Sequence, residues 1–357
     1  MTPLALHDLH AELGARFADA DGSECVEAYA NIEDELRLIH ESAGLIDLGF
    51  RSRICVIGPD RIQFLHGQVT NDIKKLDAGQ GCLAALVDHK GKIQSDLNVH
   101  RLAEELLLDF EPGLTERITE RLNQFIIAED VEVLDVAPHY GLLSVQGPAS
   151  GAVLESLELG VSLPAKARQV ASVSHEDFGE IYLANRARAD RAGFDLYVPT
   201  DSLPAAFPTL VDACKSARGD VCGSAALEQA RILAGIPRYG VDMDESNLVS
   251  ETGIASEAIS YSKGCYIGQE VIARIRTYGR AKRRFCRLRI DALDAELPAK
   301  GDLLYSGDRK AGWITSATRS AGDTGAIALG YVASGHWDSG TALTLKGDSG
   351  ERNVAVM

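Results

Sequence analysis

Lys263-Gly264-Cys265-Tyr266-Ile267-Gly268-Gln269-Glu270, running on to Arg274, is the stretch from which the reading of the chain starts. It places a thiol, an amine, a carboxylate, an amide, a phenol and two glycines within eight residues, a composition unsuited to a core segment. Paired glycines imply unusual backbone angles or a close backbone approach. Lys263 lies two residues from Cys265, and a nearby cation favours thiolate. Two readings follow from the residues alone: a reactive or ligand-contacting cysteine on a shaped loop, or a small buried cysteine in a turn.

Outward from this stretch the charge changes character. From Lys263 to Arg289 the cations are Lys263, Arg274, Arg276, Arg280, Lys282, Arg283, Arg284, Arg287 and Arg289, against one anion, Glu270, in a chain of net charge −16. The total disfavours general nucleic-acid or anionic-membrane binding. The basic island points either to an anionic ligand near the motif or to a solvated surface. Three aromatics in this region, Tyr266, Tyr278 and Phe285, are few for stacking bases, so nucleic acid is not an expected partner.

The 357 residues are 45% hydrophobic and 25% charged, a globular composition with room for two or three domains. No apolar run reaches the ~18 residues of a membrane span. Met1 to Asp21 lacks the basic-then-apolar pattern of a secretory signal. The seven cysteines are scattered without a CxxC pair, and the histidines form neither HxxxH nor HExxH. A disulfide framework and a metal site are therefore not expected, and the expected location is a reducing cytoplasm.

Taken in order, residues 1 to about 45 read as helical, with Ile32, Leu36 and Ile39 at helical spacing. Residues 53–57 read as a strand with Cys55 in the core, and 61–67 as a short helix. Thr70-Asn71-Asp72 either caps a turn or offers polar groups to a ligand. Residues 83–87 and 92–102 form a hairpin around Asp88-His89-Lys90-Gly91. On its second strand Gln94, Asp96, Asn98 and His100 share one face, which is either solvated or lines a wet cavity. A helix follows at Leu114 to Phe125, then strands at 131–136 and 142–145, helices at 205–217 and 224–235 (Ser224 as N-cap), and an acidic loop from Arg238 to Glu251. After Arg284, short strands between Gly- and Asp-rich turns read as a small all-β barrel or sandwich.

The opening octapeptide resembles the KGCYxGQE signature of the YgfZ family, folate-binding proteins implicated in making or repairing iron–sulfur clusters. That family lies within the superfamily of the glycine cleavage T-protein, an aminomethyltransferase. Phe64 to Asp72 is similar to the family's FLQGQVTND segment. Arg231 to Pro237, with Gly240, Asp242 and Glu251, resembles the RxxAGxPxxGxD segment and the glutamate after it. Ala326 to Val332 resembles a strand of the C-terminal barrel. The resemblance covers nearly the whole chain.

It implies an α+β fold, two α+β lobes and a C-terminal β-barrel in a T-protein-like cloverleaf: 1–140 as a first, folate-binding lobe completed by 221–280, 141–220 as the second lobe, and 281–357 as the barrel. It implies tetrahydrofolate as cofactor, with Asp96, Asn71, Arg231, Glu251, Tyr266, Gln269 and Arg274 toward it. The cations from Arg274 to Arg289 would receive its glutamate tail, polyglutamylated or not. It implies Cys265 as the functional thiol, with Lys263 and Arg274 favouring thiolate and Glu270 orienting local hydrogen bonds. The implied partners are folate and iron–sulfur client or assembly proteins. Two departures bear on the alternative, a tetrahydrofolate-dependent aminomethyltransferase. Ser95 stands first where T-proteins carry paired aspartates. Arg191 stands where a T-protein glutamate contacts the pterin, and an arginine cannot accept the pterin's N–H donors. Whether the chain is an enzyme is left open by the sequence.

Overall fold

The computed structural model describes residues 1–279, 281–291, 296–319, 325–347 and 350–357. Arg280, counted in the basic island, lies outside the described residues. In chain order the elements begin with α1 (His7–Glu12), β1 (Arg16–Ala20), β2 (Ser23–Ala28), α2 (Ile32–Glu41), β3 (Gly44–Asp47), β4 (Ser52–Ile57), α3 (Arg61–Gln68), β5 (Gln80–Val87), β6 (Ile93–Arg101), β7 (Leu106–Phe110), α4 (Thr115–Asn123), β8 (Glu132–Asp135), β9 (Tyr140–Gln146) and α5 (Ser150–Glu155). They continue with β10 (Val170–His175), β11 (Gly179–Asn185), β12 (Gly193–Pro199), α6 (Leu203–Ser216), β13 (Asp220–Val221), α7 (Ser224–Ala234), α8 (Ala255–Ala258) and α9 (Gln269–Tyr278). The last strands are β14 (Arg283–Ile290), β15 (Leu303–Ser306), β16 (Arg309–Arg319), β17 (Ala326–Ala333), β18 (Ala342–Gly347) and β19 (Gly350–Val356).

These elements form two compact units, Met1–Ala84 with Leu97–Ala230, and Ala85–Asp96 with Arg231–Met357. The first holds a sheet of order β10-β11-β12-β9-β3-β13 and most of a second of order β5-β6-β7-β4-β8. The tip of the β5–β6 hairpin, residues 85–96, groups with the second unit. The expected second lobe, 141–220, is thus completed in its sheet, β10-β11-β12-β9-β3-β13, by β3 from residues 44–47. In the core over that sheet Leu45, Leu143, Val145, Leu183, Leu196, Phe207 and Leu210 pack together. On this apolar area the sheet and α6 depend, at roughly 1.5–3 kcal/mol per fully buried side chain.

The N-terminal segment departs from its sequence reading. Between α1 and α2 it forms the antiparallel pair β1–β2, with Ala20 opposite Ser23. Asp21 and Gly22 both take positive φ, 52° and 87°, the pattern that lets a two-residue turn follow the twist of its strands. Asp-Gly was the hairpin signal, and the helical spacing of Ile32, Leu36 and Ile39 belongs to α2 alone.

In the second unit the strands close into a barrel of order β14-β17-β16-β15-β18-β19. Alternation along β14 explains both of its faces: Cys286, Leu288 and Ile290 enter the barrel core, while Phe285 joins Ile232, Leu329 and Tyr331 on the other side, with Trp313 against them. Residues 231–251 are bonded to this outer cluster. Arg231 donates to Asp242, to the Ile236 carbonyl at 3.0 Å and to Ser316 Oγ at 3.0 Å. Asp242 also accepts from Thr315 Oγ1 at 2.5 Å and Ser316 Oγ at 2.7 Å. Residues 231–280, expected to complete the first lobe, group with the barrel, and these bonds tie Arg231 and Asp242 to β16. Among the described residues no helix is long and apolar enough to cross a membrane, and none form a cluster able to hold a metal ion.

Candidate functional site

The motif is the approach to α9 and the helix's first turn. Gly268 precedes the helix with φ +82°, a left-handed conformation that side chains disfavour. A Cβ on Gly268 would lie 2.5 Å from the Asp88 carbonyl oxygen and 2.9 Å from Val87 Cγ2. The turn it meets is built by Asp88, whose Oδ1 accepts from the backbone N–H of Lys90 and of Lys92, each at 2.8 Å. Lys92 Nζ in turn donates to the Ser246 carbonyl at 2.5 Å. The β5–β6 tip and the start of α9 therefore approach one another backbone to backbone, which accounts for glycine at 268.

Gln269 explains the spacing of the motif. Its Nε2 donates to the Gly264 carbonyl at 3.3 Å and its backbone N–H to the Tyr266 carbonyl at 3.3 Å. The carbonyls on either side of Cys265 are thereby held by one residue. Cys265 is exposed, whereas Cys82 is half-buried and Cys25, Cys55, Cys214, Cys222 and Cys286 are buried. The loop reading, not the buried-turn reading, describes Cys265.

Cation–π contacts fold the rest of the loop. Lys263, a buried residue, sets Nζ 4.8 Å from the Tyr266 ring centroid, and the Arg276 guanidinium lies 3.8 Å from that of Tyr261. Burial, and secondarily Tyr261, push the Tyr266 phenol up to about 12, so at neutral pH it is a donor and not a base. Glu270 and Arg274 are both exposed on α9. Glu270 sits in the first turn, where the helix dipole favours a carboxylate.

The remaining predicted residues are placed elsewhere. Arg231 is buried in the Asp242 network already described. Glu251, also buried, accepts from Arg283 Nε at 3.0 Å and from the Leu248 N–H at 3.1 Å. Arg283 further donates to the Ser246 carbonyl at 3.0 Å and lies over Trp313. Asn71, in the first unit, donates through Nδ2 to the Leu83 carbonyl at 2.7 Å and accepts from the Asp72 N–H at 2.8 Å, which makes it a turn-former. On β6, Gln94 and Asp96 are half-buried, and Asn98 and His100 are buried. Of the basic island, Lys263, Arg276 and Arg283 have the partners named, and Arg289 lies 3.6 Å from Asp291. Arg274, Lys282 and Arg284 are exposed. Ser224 is the first residue of α7, and its hydroxyl donates to Cys25 Sγ at 3.7 Å.

A buried polar cluster escaped the sequence reading. Asp109 accepts from Arg51 Nε at 2.7 Å and Arg188 Nη2 at 3.2 Å. Asp195 takes both Nε and Nη2 of Arg188, at 3.0 and 2.7 Å, and Ser144 Oγ at 2.7 Å. All of these are buried. The arginines hold the Asp109 carboxyl below the usual carboxylate range although burial opposes them. Arg191, by contrast, is exposed and lies 3.3 Å from Asp190. A signal existed: Asp109 interrupts Leu106-Leu107-Leu108, and an acid inside an apolar strand needs a buried partner.

Comparison with known proteins places this geometry. Residues 6–263 match the family described as the GCVT N-terminal domain, and residues 283–357 match the glycine cleavage T-protein C-terminal barrel domain. The chain belongs to the glycine cleavage T-protein family. A putative chloroplastic transferase of Arabidopsis thaliana is 30% identical over 328 residues, 90% of this chain and 73% of the relative. An aminomethyltransferase of Symbiobacterium thermophilum is 28% identical over 347 residues, 95% of this chain and 91% of the relative. The crystal structure of the glycine cleavage system aminomethyltransferase T from Bartonella henselae superposes with a TM-score of 0.87 at 22% identity, covering 99% of this chain and 96% of that one. This last likeness shares the fold, α+β with a C-terminal β-barrel.

Proposed function

We propose that this chain is a YgfZ-type member of the T-protein family: a tetrahydrofolate-binding accessory protein for iron–sulfur cluster assembly or repair, with Cys265 as its functional thiol. The reading rests on one observation, an exposed cysteine whose flanking carbonyls are both tied to Gln269. A thiol that served only as packing would be buried. In this reading Gln269 and Gly268 set the loop, Lys263 and Tyr266 support it from below, and the exposed Glu270 and Arg274 face incoming partners. Asp96, Asn71, Arg231 and Glu251 are proposed toward the folate on the strength of the family resemblance. The exposed cations Arg274, Lys282 and Arg284 would meet a glutamate tail. A cytoplasmic location belongs to the same proposal, although the Arabidopsis relative is named chloroplastic.

Aminomethyl transfer to tetrahydrofolate is the second reading, favoured by the name and coverage of the Symbiobacterium relative. Against it, Arg191 is exposed and basic where an acid would be needed, and the buried acids Asp109 and Asp195 are engaged by Arg51 and Arg188.

Complementation separates the readings. In cells lacking the native protein, Cys265→Ala is expected to leave iron–sulfur enzyme activity at the level of the empty vector, while Cys55→Ala restores it. Full restoration by Cys265→Ala would remove the thiol role. Methylenetetrahydrofolate formed by the purified chain from an aminomethyl-lipoyl donor would establish the second reading instead.

A further inference from the structure

The sheet β5-β6-β7-β4-β8 ends on β8, which among the described residues pairs with β4 alone. The Val136 N–H donates to the Arg53 carbonyl at 3.1 Å. Bonding alternates along an antiparallel pair. Leu134 and Glu132 therefore continue that ladder, while Val133 and Asp135 turn their N–H and C=O groups away from β4. Such a row of open backbone groups is a template for another strand unless lysine, proline or a bulge blunts it. Residues 131–136 contain neither lysine nor proline, and the β4–β8 register runs without a bulge.

Apolar side chains flank this edge. Phe125, Ile127 and Leu134 are all exposed, Ile127 at 89%. Leu134 stands on β8 itself, and Phe125 and Ile127 lie in the loop that leads into it from α4, a helix packed against β8. The loop is held in place. The Glu129 carboxylate accepts from the N–H groups of Ile127 and Ala128 at 2.9 and 3.1 Å, and the Arg121 guanidinium lies 4.1 Å from the Phe125 ring centroid. Apolar groups fixed toward solvent beside an open strand edge mark an interaction surface.

Charge then selects the occupant. Glu129, Asp130, Glu132 and Asp135 fall within seven residues, and no lysine or arginine occurs between Arg121 and Lys166. Asp60 adds a further acid, its Oδ2 accepting from the Asp130 N–H at 2.9 Å. Arg121 is already engaged, its Nη1 donating to Gln68 Oε1 at 3.1 Å and its guanidinium set on Phe125. A second copy of the chain seated edge to edge would bring two such sets of acids together, and like charges across a strand pair are destabilising. A strand that alternates apolar residues with lysine or arginine matches both the charge and the apolar flank.

We propose that the outer edge of β8 is a docking site for an extended basic segment of a partner protein, added to the sheet as a further strand. β8 belongs to the first unit and Cys265 to the second, and the proposal depends on neither the folate nor the thiol reading.

The test titrates the full chain into a blocked, dye-labelled peptide, Lys-Val-Lys-Val-Lys, and reads fluorescence anisotropy at low ionic strength. Glu-Val-Glu-Val-Glu is the charge-reversed control. Saturable binding of the basic peptide is expected, with the acidic one weaker by about tenfold or more. At saturation the amide exchange of Val133 and Asp135 should slow. Val133→Pro removes an outward N–H and leaves the bonds to β4 in place, so it should weaken binding about fivefold at a nearly native melting temperature. The double change Glu132→Lys with Asp135→Lys should reverse the preference between the peptides. No saturable binding, equal affinity for the two peptides, or unchanged exchange at Val133 and Asp135 would each overturn the site. Self-association of the native chain that Val133→Pro abolishes would also overturn it, giving the edge to a second copy. The native-chain arms and the charge-reversal variant decide the matter even if Val133→Pro does not fold.

Discussion

Replacing Gly268 by alanine tests whether the motif loop is built against the hairpin tip. Two costs apply. The left-handed φ of +82° charges a side chain about 1–2 kcal/mol. The new Cβ would also stand 2.5 Å from the Asp88 carbonyl oxygen, and a methyl forced into packed surroundings costs a further ~1–3 kcal/mol. Gly240 supplies the control, since its φ is +83° but nothing lies within 4 Å of the added Cβ. Gly240→Ala should therefore show the conformational cost alone, and Gly268→Ala about 1–3 kcal/mol more. Trp313 and Trp337 are the two tryptophans of the chain, and both lie in the second unit. Tryptophan fluorescence during urea unfolding thus reads the relevant unit directly, with a lower midpoint at unchanged slope as the expected form. If Gly268→Ala is no more destabilised than Gly240→Ala, the interlocking of Gly268 with Asp88 is refuted.

Other outcomes follow from the same geometry. Burial lowers the His100 imidazole from 6.5 to about 4, against the pull of Asp109 and Asp195. Its neutral form is the folded form, so its contribution is full above pH ~6.5 and is lost as pH falls toward ~4, about 3 kcal/mol in all; circular-dichroism melts across that window should show a shallower slope for His100→Gln. Asp195→Asn leaves Arg188 without its two-point partner and should cost about 3–5 kcal/mol, read as a lower melting temperature. In the native protein a thiol-reactive disulfide reagent should find one fast cysteine, removed by Cys265→Ser, with the half-buried Cys82 slower. Gln269→Ala should alter that fast rate while costing about 1 kcal/mol or less of stability.

The barrel was legible because its strands are separated by Gly- and Asp-rich turns, and the strands expected after Arg284 are those that close the barrel. The motif's chemistry was legible from its residue types, but its architecture was not. A glycine in a left-handed conformation is a common end to a helix and a rare beginning, so α9 did not announce itself. Lys263 illustrates the limit of proximity in sequence: two residues from Cys265, it lies over the Tyr266 ring. Arg231 and Glu251 were picked out by resemblance, and the structure shows each in an ion pair, with Asp242 and Arg283 respectively, the first of them fully buried. In the Asp109–Arg188–Asp195 cluster Asp109 lies 79 residues from Arg188, and only folding reveals which buried acid meets which arginine.

Calorimetric titration of the purified, reduced chain with tetrahydrofolate and its polyglutamates tests the central proposal most directly. Saturable binding is predicted, tightening with tail length in a manner that added salt suppresses, because the exposed Arg274, Lys282 and Arg284 would act through screened charge. Absence of binding at the highest attainable ligand concentration would contradict the account.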